Sequence, residues 1–273
     1  MNNDERRERN RRILNETLDY IHSDEYLSAS VRTSMAHLEF FPSEKIVECE
    51  RGKFEHPATV VVSRKRTASA LYESGYGSVM LLDFASATSP GGGVRKGSNA
   101  QEESLCRVST LLLSLESRKA RPFYERHRKS GDAYYSDSLL LVPDVVFFRS
   151  DDESAEILAR KKWRKASVIV SAAPNLRRIG EWECFSNEEK ERYFELMRSR
   201  VDSVFRAAAK KDVDHLILGA FGCGAFKNPA GIAAGIFRDV QQDYLRSFKV
   251  IEYAIGGGNE WDENYQAFRR ALS

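Results

Sequence analysis

Hydrophobic residues are distributed in two distinct rhythms along the chain. Between Glu5 and Ile21, Arg and Glu alternate around Ile13, Leu14, Leu18 and Ile21 at helical spacing, which predicts a charged amphipathic helix packed on a domain edge. The stretch to Pro57 is mixed and ends at Arg51-Gly52-Lys53, a loose boundary. Beyond it come short β-branched runs: Thr59 to Val62, Val79 to Leu82, Val168 to Val170, Leu216 to Leu218 and Val250-Ile251. They are too short for buried helices and lack polar alternation, so they read as interior strands of a covered sheet. Thr67 to Ser74, Asn99 to Leu115, Asn187 to Lys210 and Pro229 to Leu245 carry apolar residues three and four apart and read as helices. Alternating strands and helices predict an α/β sandwich with a largely parallel sheet. The expected division is an N-terminal helical extension over residues 1–55 and one α/β domain over 56–273.

Composition narrows the function classes. In 273 residues, 42 basic side chains face 40 acidic ones, so no global field draws the protein to nucleic acid or anionic lipid, and any anion site must be local. No apolar run approaches the roughly 20 residues of a bilayer span, and the polar start lacks a signal-peptide core. An intracellular protein is expected, cytoplasmic, or nuclear in a nucleated cell. Cys49, Cys106, Cys184 and Cys223 form no C-x-x-C pair, and no His stands at metal-ligand spacing. They read as reduced thiols, and neither metal nor cofactor is expected. Membrane and sequence-specific nucleic-acid partners are not expected either.

In sheets of this kind ligands bind beyond the carboxyl ends of strands, where loops enter helices. The first such junction, Asp83 to Val94, holds Phe84-Ala85-Ser86 and the triplet Gly91-Gly92-Gly93 before Val94. Glycine amides can cradle phosphate, although the same run also suits a flexible turn. Asn99 with Glu102 three residues later has the form of a capping box, which puts Gln101, Glu102 and Glu103 in the first turn of the next helix. The helix dipole alone favours carboxylates there. Neighbouring helical residues point about 100° apart, so the two glutamates should have different jobs. Glycoside cleavage needs a carboxyl group to protonate the leaving oxygen.

The second junction runs Gly219 to Pro229 and contains Gly222-Cys223-Gly224-Ala225-Phe226. Small residues between strand and helix offer amides to an anion. It is neither a P-loop nor a dinucleotide fingerprint. Cys223, between glycines and without an evident base, reads as chosen for small size. Phe226 either borders the ligand or packs beneath the loop.

The triplet Gly91 to Gly93, seven residues, then Gln101-Glu102-Glu103 resembles the signature of microbial-type poly(ADP-ribose) glycohydrolases, and the second loop resembles that family's diphosphate loop. Asp83-Phe84-Ala85-Ser86 is similar to the ribose loop of macrodomains. Tyr134-Tyr135, Val142 to Val145, Ala172 to Asn175 and the strand Phe248 to Ile255 follow in the family's order. The resemblance implies a macrodomain-like three-layer sandwich with a mixed, mostly parallel sheet, which hydrolyses ribose–ribose O-glycosidic bonds and releases ADP-ribose. It maps the catalytic acid onto Glu103 and a hydroxyl-holding carboxylate onto Glu102. It also implies substrate contacts at Phe84, Ala85, Ser86, Gly91 to Gly93, Val94, Gln101, Tyr135 and Gly222 to Phe226. The partners it implies are ADP-ribose and poly(ADP-ribose), including ADP-ribosylated proteins. A noncatalytic ADP-ribose reader and a hydrolase of mono-ADP-ribosyl conjugates are the other readings. Asp83 and Ser86 stand where asparagine is common in macrodomains, and Phe221 where the family often has tryptophan.

Overall fold

The computed structural model describes residues 2–43, 45, 48–256 and 261–272. Its elements follow in the order α1 (Asn3–Ser23), α2 (Glu25–His37), β1 (Glu39–Phe41), β2 (Thr59–Ser63), α3 (Thr67–Glu73), β3 (Val79–Phe84), α4 (Gln101–Val108), α5 (Leu111–Leu115) and α6 (Arg121–Ser130). Then come β4 (Leu139–Phe147), β5 (Arg164–Ser171), α7 (Leu176–Ile179), α8 (Asn187–Lys210), β6 (His215–Leu218), α9 (Ala230–Gln241), β7 (Val250–Ala254) and α10 (Glu263–Leu272).

The strands form one sheet in the order β1-β4-β5-β3-β6-β7-β2. Pairing is parallel from β5 through β2 and antiparallel on both sides of β4, so β4 alone runs against the others. Side chains alternate across each strand. On β3, Met80 and Leu82 join the core beneath α8 and α9, whereas Val79 and Leu81 join the core beneath α3 to α6. These helices on the two faces of the sheet give the expected three layers. Full burial of each such aliphatic side chain contributes about 1.5–3 kcal/mol.

Several expectations need correction. Thr59–Ser63 is an edge strand with exposed positions, not an interior one, because β7 is its only neighbour. The helix expected from Asn99 to Leu115 breaks at Ser109-Thr110, where Ser109 is extended and bridges to Phe147. Thr110 there exchanges hydrogen bonds with Val146, 3.0 Å each way, and this strand-like pairing replaces a helical turn. β4 gave no periodic signal because it is buried nearly throughout and is interrupted by a bulge around Pro143-Asp144. The carbonyls freed there accept from Ser34 and Ser30 of α2. Residues 1–55 thus supply two helices and the edge strand β1.

Among the described residues no helix is long and apolar enough to cross a membrane, and no three His, Cys, Asp or Glu side chains converge at metal-binding spacing. All four cysteines are unpaired.

Candidate active site

The end of β3 and the start of α4 are joined by the triplet Gln101-Glu102-Glu103, and each side chain clips a different piece of backbone. Gln101 takes the Phe84 amide on Oε1 (2.9 Å) and donates from Nε2 to Leu82 O (2.8 Å), which locks the helix start to the strand on either side of Asp83. Glu102 Oε2 accepts the Ser86 amide at 2.7 Å. Glu103 Oε1 accepts the Gly93 amide at 2.8 Å, and its Oε2 accepts the Ala100 amide at 2.9 Å. The expected Asn99 cap is replaced by this last contact. α4 is capped at Ala100, which has no side-chain acceptor, and Asn99 Oδ1 instead accepts from Arg107.

These bonds change the role of the glycine triplet. The amides of Gly92, Gly93 and Val94 turn inward: to Ser89 O, to Glu103 and to Gly91 O. Of the triplet expected to cradle a phosphate, the Gly92 and Gly93 amides are thus engaged within the protein, the latter by a carboxylate. Glycine is required at 92 because φ is +58° and a Cβ there would stand 2.6 Å from Glu103 Oε1 and 2.9 Å from Glu102 Oε2. Although adjacent helical residues diverge at their Cα atoms, the two carboxylates therefore converge on one point.

Both glutamates are buried, at 3% and 7% exposure, without a salt-bridged cation. Burial, followed by the neighbouring Asp83, pushes Glu102 well above the usual carboxylate range. Glu103 is held differently, with one backbone amide on each of its two oxygens. Arg107 lies near, held by Ser98 O (2.6 Å), Asn99 and Ser104, and burial pushes its guanidinium down to about 10.

The second loop is built the opposite way. Asn228 pins it from inside, donating to Pro174 O (2.8 Å) and Gly222 O (2.9 Å) while accepting from Tyr193 Oη (2.8 Å). Gly222 has φ +76°, and a Cβ there would meet Ala173 and Asn228 at 2.5 Å. Among the described residues, the amides of Gly222, Gly224, Ala225 and Phe226 donate to no protein group. They sit just before α9, where unpaired amides and the helix dipole attract an anion.

A cavity of about 510 Å³ joins the two junctions, with Phe84 and Gln101 on one side and Gly222, Gly224, Ala225 and Phe226 on the other. The rings of Phe84 and Phe221 are 5.8 Å apart beneath it. Ala85, Ser86, Gly91 to Gly93, Val94, Glu102, Glu103, Tyr135 and Cys223 are not among its walls. Tyr135 flanks Phe226 at 6.1 Å and accepts from Asn175 at 3.3 Å. Burial pushes the Cys223 thiol up to about 12, and its Sγ faces only Phe221 O at 3.6 Å, the setting of a small packed residue, not a nucleophile.

Sequence reasoning missed the opposite wall, made by Arg66, Thr67, Ser104 and Asp151. Arg66 is braced between Asp151 (3.2 Å) and Ser104 (3.0 Å). Arg66 and Thr67 occupy the strand-to-helix junction after β2, and the rule applied to the other two junctions reaches them as well. Asp151 carries no such signal.

Comparison with known proteins agrees with this geometry. The family described as "Microbial-type PARG, catalytic domain" matches residues 13–150. The structure of poly(ADP-ribose) glycohydrolase from Thermomonospora curvata is similar with a TM-score of 0.85 and 28% identity, over 96% of this chain and 99% of that one. That from Deinococcus radiodurans in complex with ADP-ribose is 31% identical with a TM-score of 0.77, over 89% of this chain and 96% of that one. The Thermomonospora curvata enzyme bound to the inhibitor ADP-HPD is similar at a TM-score of 0.81, with 28% identity over 96% of this chain and 99% of that one. No match was found among curated protein sequences. A family match over half the chain, and 31% identity over most of it, agree with two strand-to-helix loops that meet at one cavity: the chain belongs to the microbial-type PARG catalytic-domain family.

Proposed function

We propose that this chain is a poly(ADP-ribose) glycohydrolase that cleaves ribose–ribose O-glycosidic bonds and releases ADP-ribose, with Glu103 as general acid and base. The observation that carries this reading is the convergence of two buried carboxylates on Gly92, next to Gln101 of the cavity wall, with a loop whose amides donate to no protein group lining the same cavity. Such an arrangement offers one place for a diphosphate and another for proton transfer at a sugar. Relatives of 28–31% identity whose names state this activity support it.

Two backbone amides fix the carboxyl group of Glu103 in place. Bringing an anionic diphosphate onto Gly222 to Phe226 adds like charge nearby and favours uptake of a proton. Glu103 then gives that proton to the leaving ribose oxygen as the C–O bond breaks and an oxocarbenium-like centre develops. As a carboxylate it next accepts a proton from water adding to the anomeric carbon, which restores the acid. Glu102 holds ribose hydroxyls, and Ser86, Val94 and Tyr135 complete the sugar's surroundings, with Phe84, Ala85 and Gln101 fixing the loop.

The working partners are ADP-ribose and the polymer's ADP-ribosyl units, carried on ADP-ribosylated proteins. Unpaired cysteines fit a reducing intracellular compartment. Residues 56–273 form the catalytic domain and 1–55 its extension.

Glu103→Gln tests the assignment. Shape is preserved while the proton is removed, so release of ADP-ribose from labelled polymer should collapse by at least about a hundredfold. Calorimetric binding of ADP-ribose should persist. Turnover at the unsubstituted rate would end the proposal.

A further inference from the structure

Behind the two glutamates lies a carboxylate that the reaction above does not use. Asp83 projects from the end of β3 into the core beneath α4 and α6, the same face as Leu81. It is fully buried, and neither of its oxygens has a hydrogen-bond partner. Gln101 grips the backbone at Leu82 and Phe84, on either side of Asp83, so residue 102 enters the same pocket. There Glu102 spends Oε2 on the Ser86 amide, while its Oε1 is buried and unpartnered. The hydroxyl of Tyr124, from α6, is orphaned in the same way.

Two ionised carboxylates buried in one core, with a single amide donor between them, are among the most costly arrangements a protein can hold. A single proton changes this, because a carboxylic acid is a donor and can satisfy its neighbour's bare oxygen. We propose that Asp83 and Glu102 form a buried carboxyl pair that retains a proton at neutral pH, and that Asp83 is thereby a positioning residue that sets the charge of Glu102. The groups around the pair are Glu103 and Cys106 from α4 and Tyr124 from α6, with Arg107 of α4 beyond Glu103 and Cys106. Arg107 is the cation among them, and its hydrogen bonds go to Ser98, Asn99 and Ser104 instead. Glu102 then shares its proton with Asp83 on one oxygen and accepts the Ser86 amide on the other.

The pH profile of turnover rests on the glycohydrolase reading; infrared spectroscopy of the protein alone does not. At pH 7 the infrared spectrum of the unsubstituted protein should contain a protonated-carboxyl C=O band that is lost in Asp83→Asn. In the same variant Glu102 loses a negatively charged neighbour and gives up its proton more readily. The basic limb of kcat/KM against pH, read on labelled polymer, should therefore move down by about one to three pH units. Absence of the band in the unsubstituted protein, or its persistence unchanged in the variant, overturns the proposal. So does a folded, active Asp83→Asn protein whose basic limb superimposes on that of the parent. If the polymer is not cleaved by the parent, the functional reading fails while the infrared result still decides on the pair.

Discussion

Replacing Gly92 with alanine separates the two ways a glycine serves this fold. At φ +58° an alanine occupies the left-handed region, at a cost of about 1–2 kcal/mol. Its methyl carbon would also lie 2.6 Å from Glu103 Oε1, whereas ordinary contact begins near 3.4 Å, so the carboxylate must retreat by about 0.8 Å. Such a retreat stretches the 2.8 Å bond from the Gly93 amide to roughly 3.6 Å, which is no longer a hydrogen bond. Losing a bond to a charged acceptor costs a further 1.5–3 kcal/mol or so. A total of about 3 kcal/mol corresponds to a fall in Tm of roughly 6–12 °C in a protein of this size. Displacement of a reacting group by about 1 Å costs on the order of a hundredfold in rate. Gly52→Ala is the control: φ is +79°, yet nothing lies within 4 Å, so it carries the backbone cost alone. The assays are thermal melting, calorimetric binding of ADP-ribose and its release from labelled polymer. Gly92→Ala should bind the product and cleave poorly, and Gly52→Ala should cleave normally. Equal turnover in the two variants would refute the reasoning.

Two further outcomes follow from groups near the cavity. His127 lies 5.6 Å beneath the Tyr135 ring, with Nδ1 2.9 Å from Phe123 O and Nε2 accepting the Ser136 amide at 3.2 Å, and burial pushes it down to about 4. Since its folded value lies below the unfolded value near 6.5, its contribution is complete above that pH and is lost as pH falls toward 4. Unfolding free energies from urea titrations at pH 7.5 and 4.5 should differ by about 2 kcal/mol more in the parent than in His127→Gln, and equal differences would count against this assignment. For Cys223, whose thiol is pushed up to about 12, iodoacetamide at pH 7.5 should label the exposed Cys184 and spare Cys223. Cys223→Ala should keep turnover within about threefold, near 0.6 kcal/mol; inactivation by selective labelling of Cys223 would reverse this reading.

The parts of the fold legible in sequence were those with one physical cause each. Val79 to Leu82 and Leu216 to Leu218 are buried on both faces and read as continuous apolar runs. The long helix Asn187–Lys210 was bounded correctly because Ser186 and Glu189 form a full capping box at its start. Harder to read were elements whose identity depends on partners distant in sequence. Ser109-Thr110 leaves the helix only because Phe147 and Val146 are there to pair with it. Thr59–Ser63 is an edge strand because no further strand among the described residues pairs with it, which no local pattern records. At the site, residue types were legible and directions were not. Both glycine loops looked like anion cradles, since a glycine allows an amide to point outward toward a ligand and equally allows a side chain to press against the backbone from within. At Gly222 to Phe226 the amides of residues 222, 224, 225 and 226 donate to no described protein group; at Gly92 and Gly93 side chains press in from within.

That inward use explains what the N-terminal segment contributes. Two carboxylates buried without paired cations depend on backbone amides, and amides are useful donors only if the loop bearing them cannot drift. Between Gly93 and Ala100 the loop is fixed from one side by Arg107 and from the other by α1. Asn10, 2% exposed, donates to Gly97 O at 3.0 Å, and the carbonyl of Arg7 packs so closely against Gly97 that no side chain fits there. Thr17, wholly buried, donates to Arg107 O at 2.7 Å and so completes the turn of α4 that carries the loop's other anchor. Each of these carbonyls would lose its partner without α1, at about 1–3 kcal/mol if it stayed buried. The N-terminal helix thereby helps to hold the Gly93 and Ala100 amides, which fix where Glu103 stands.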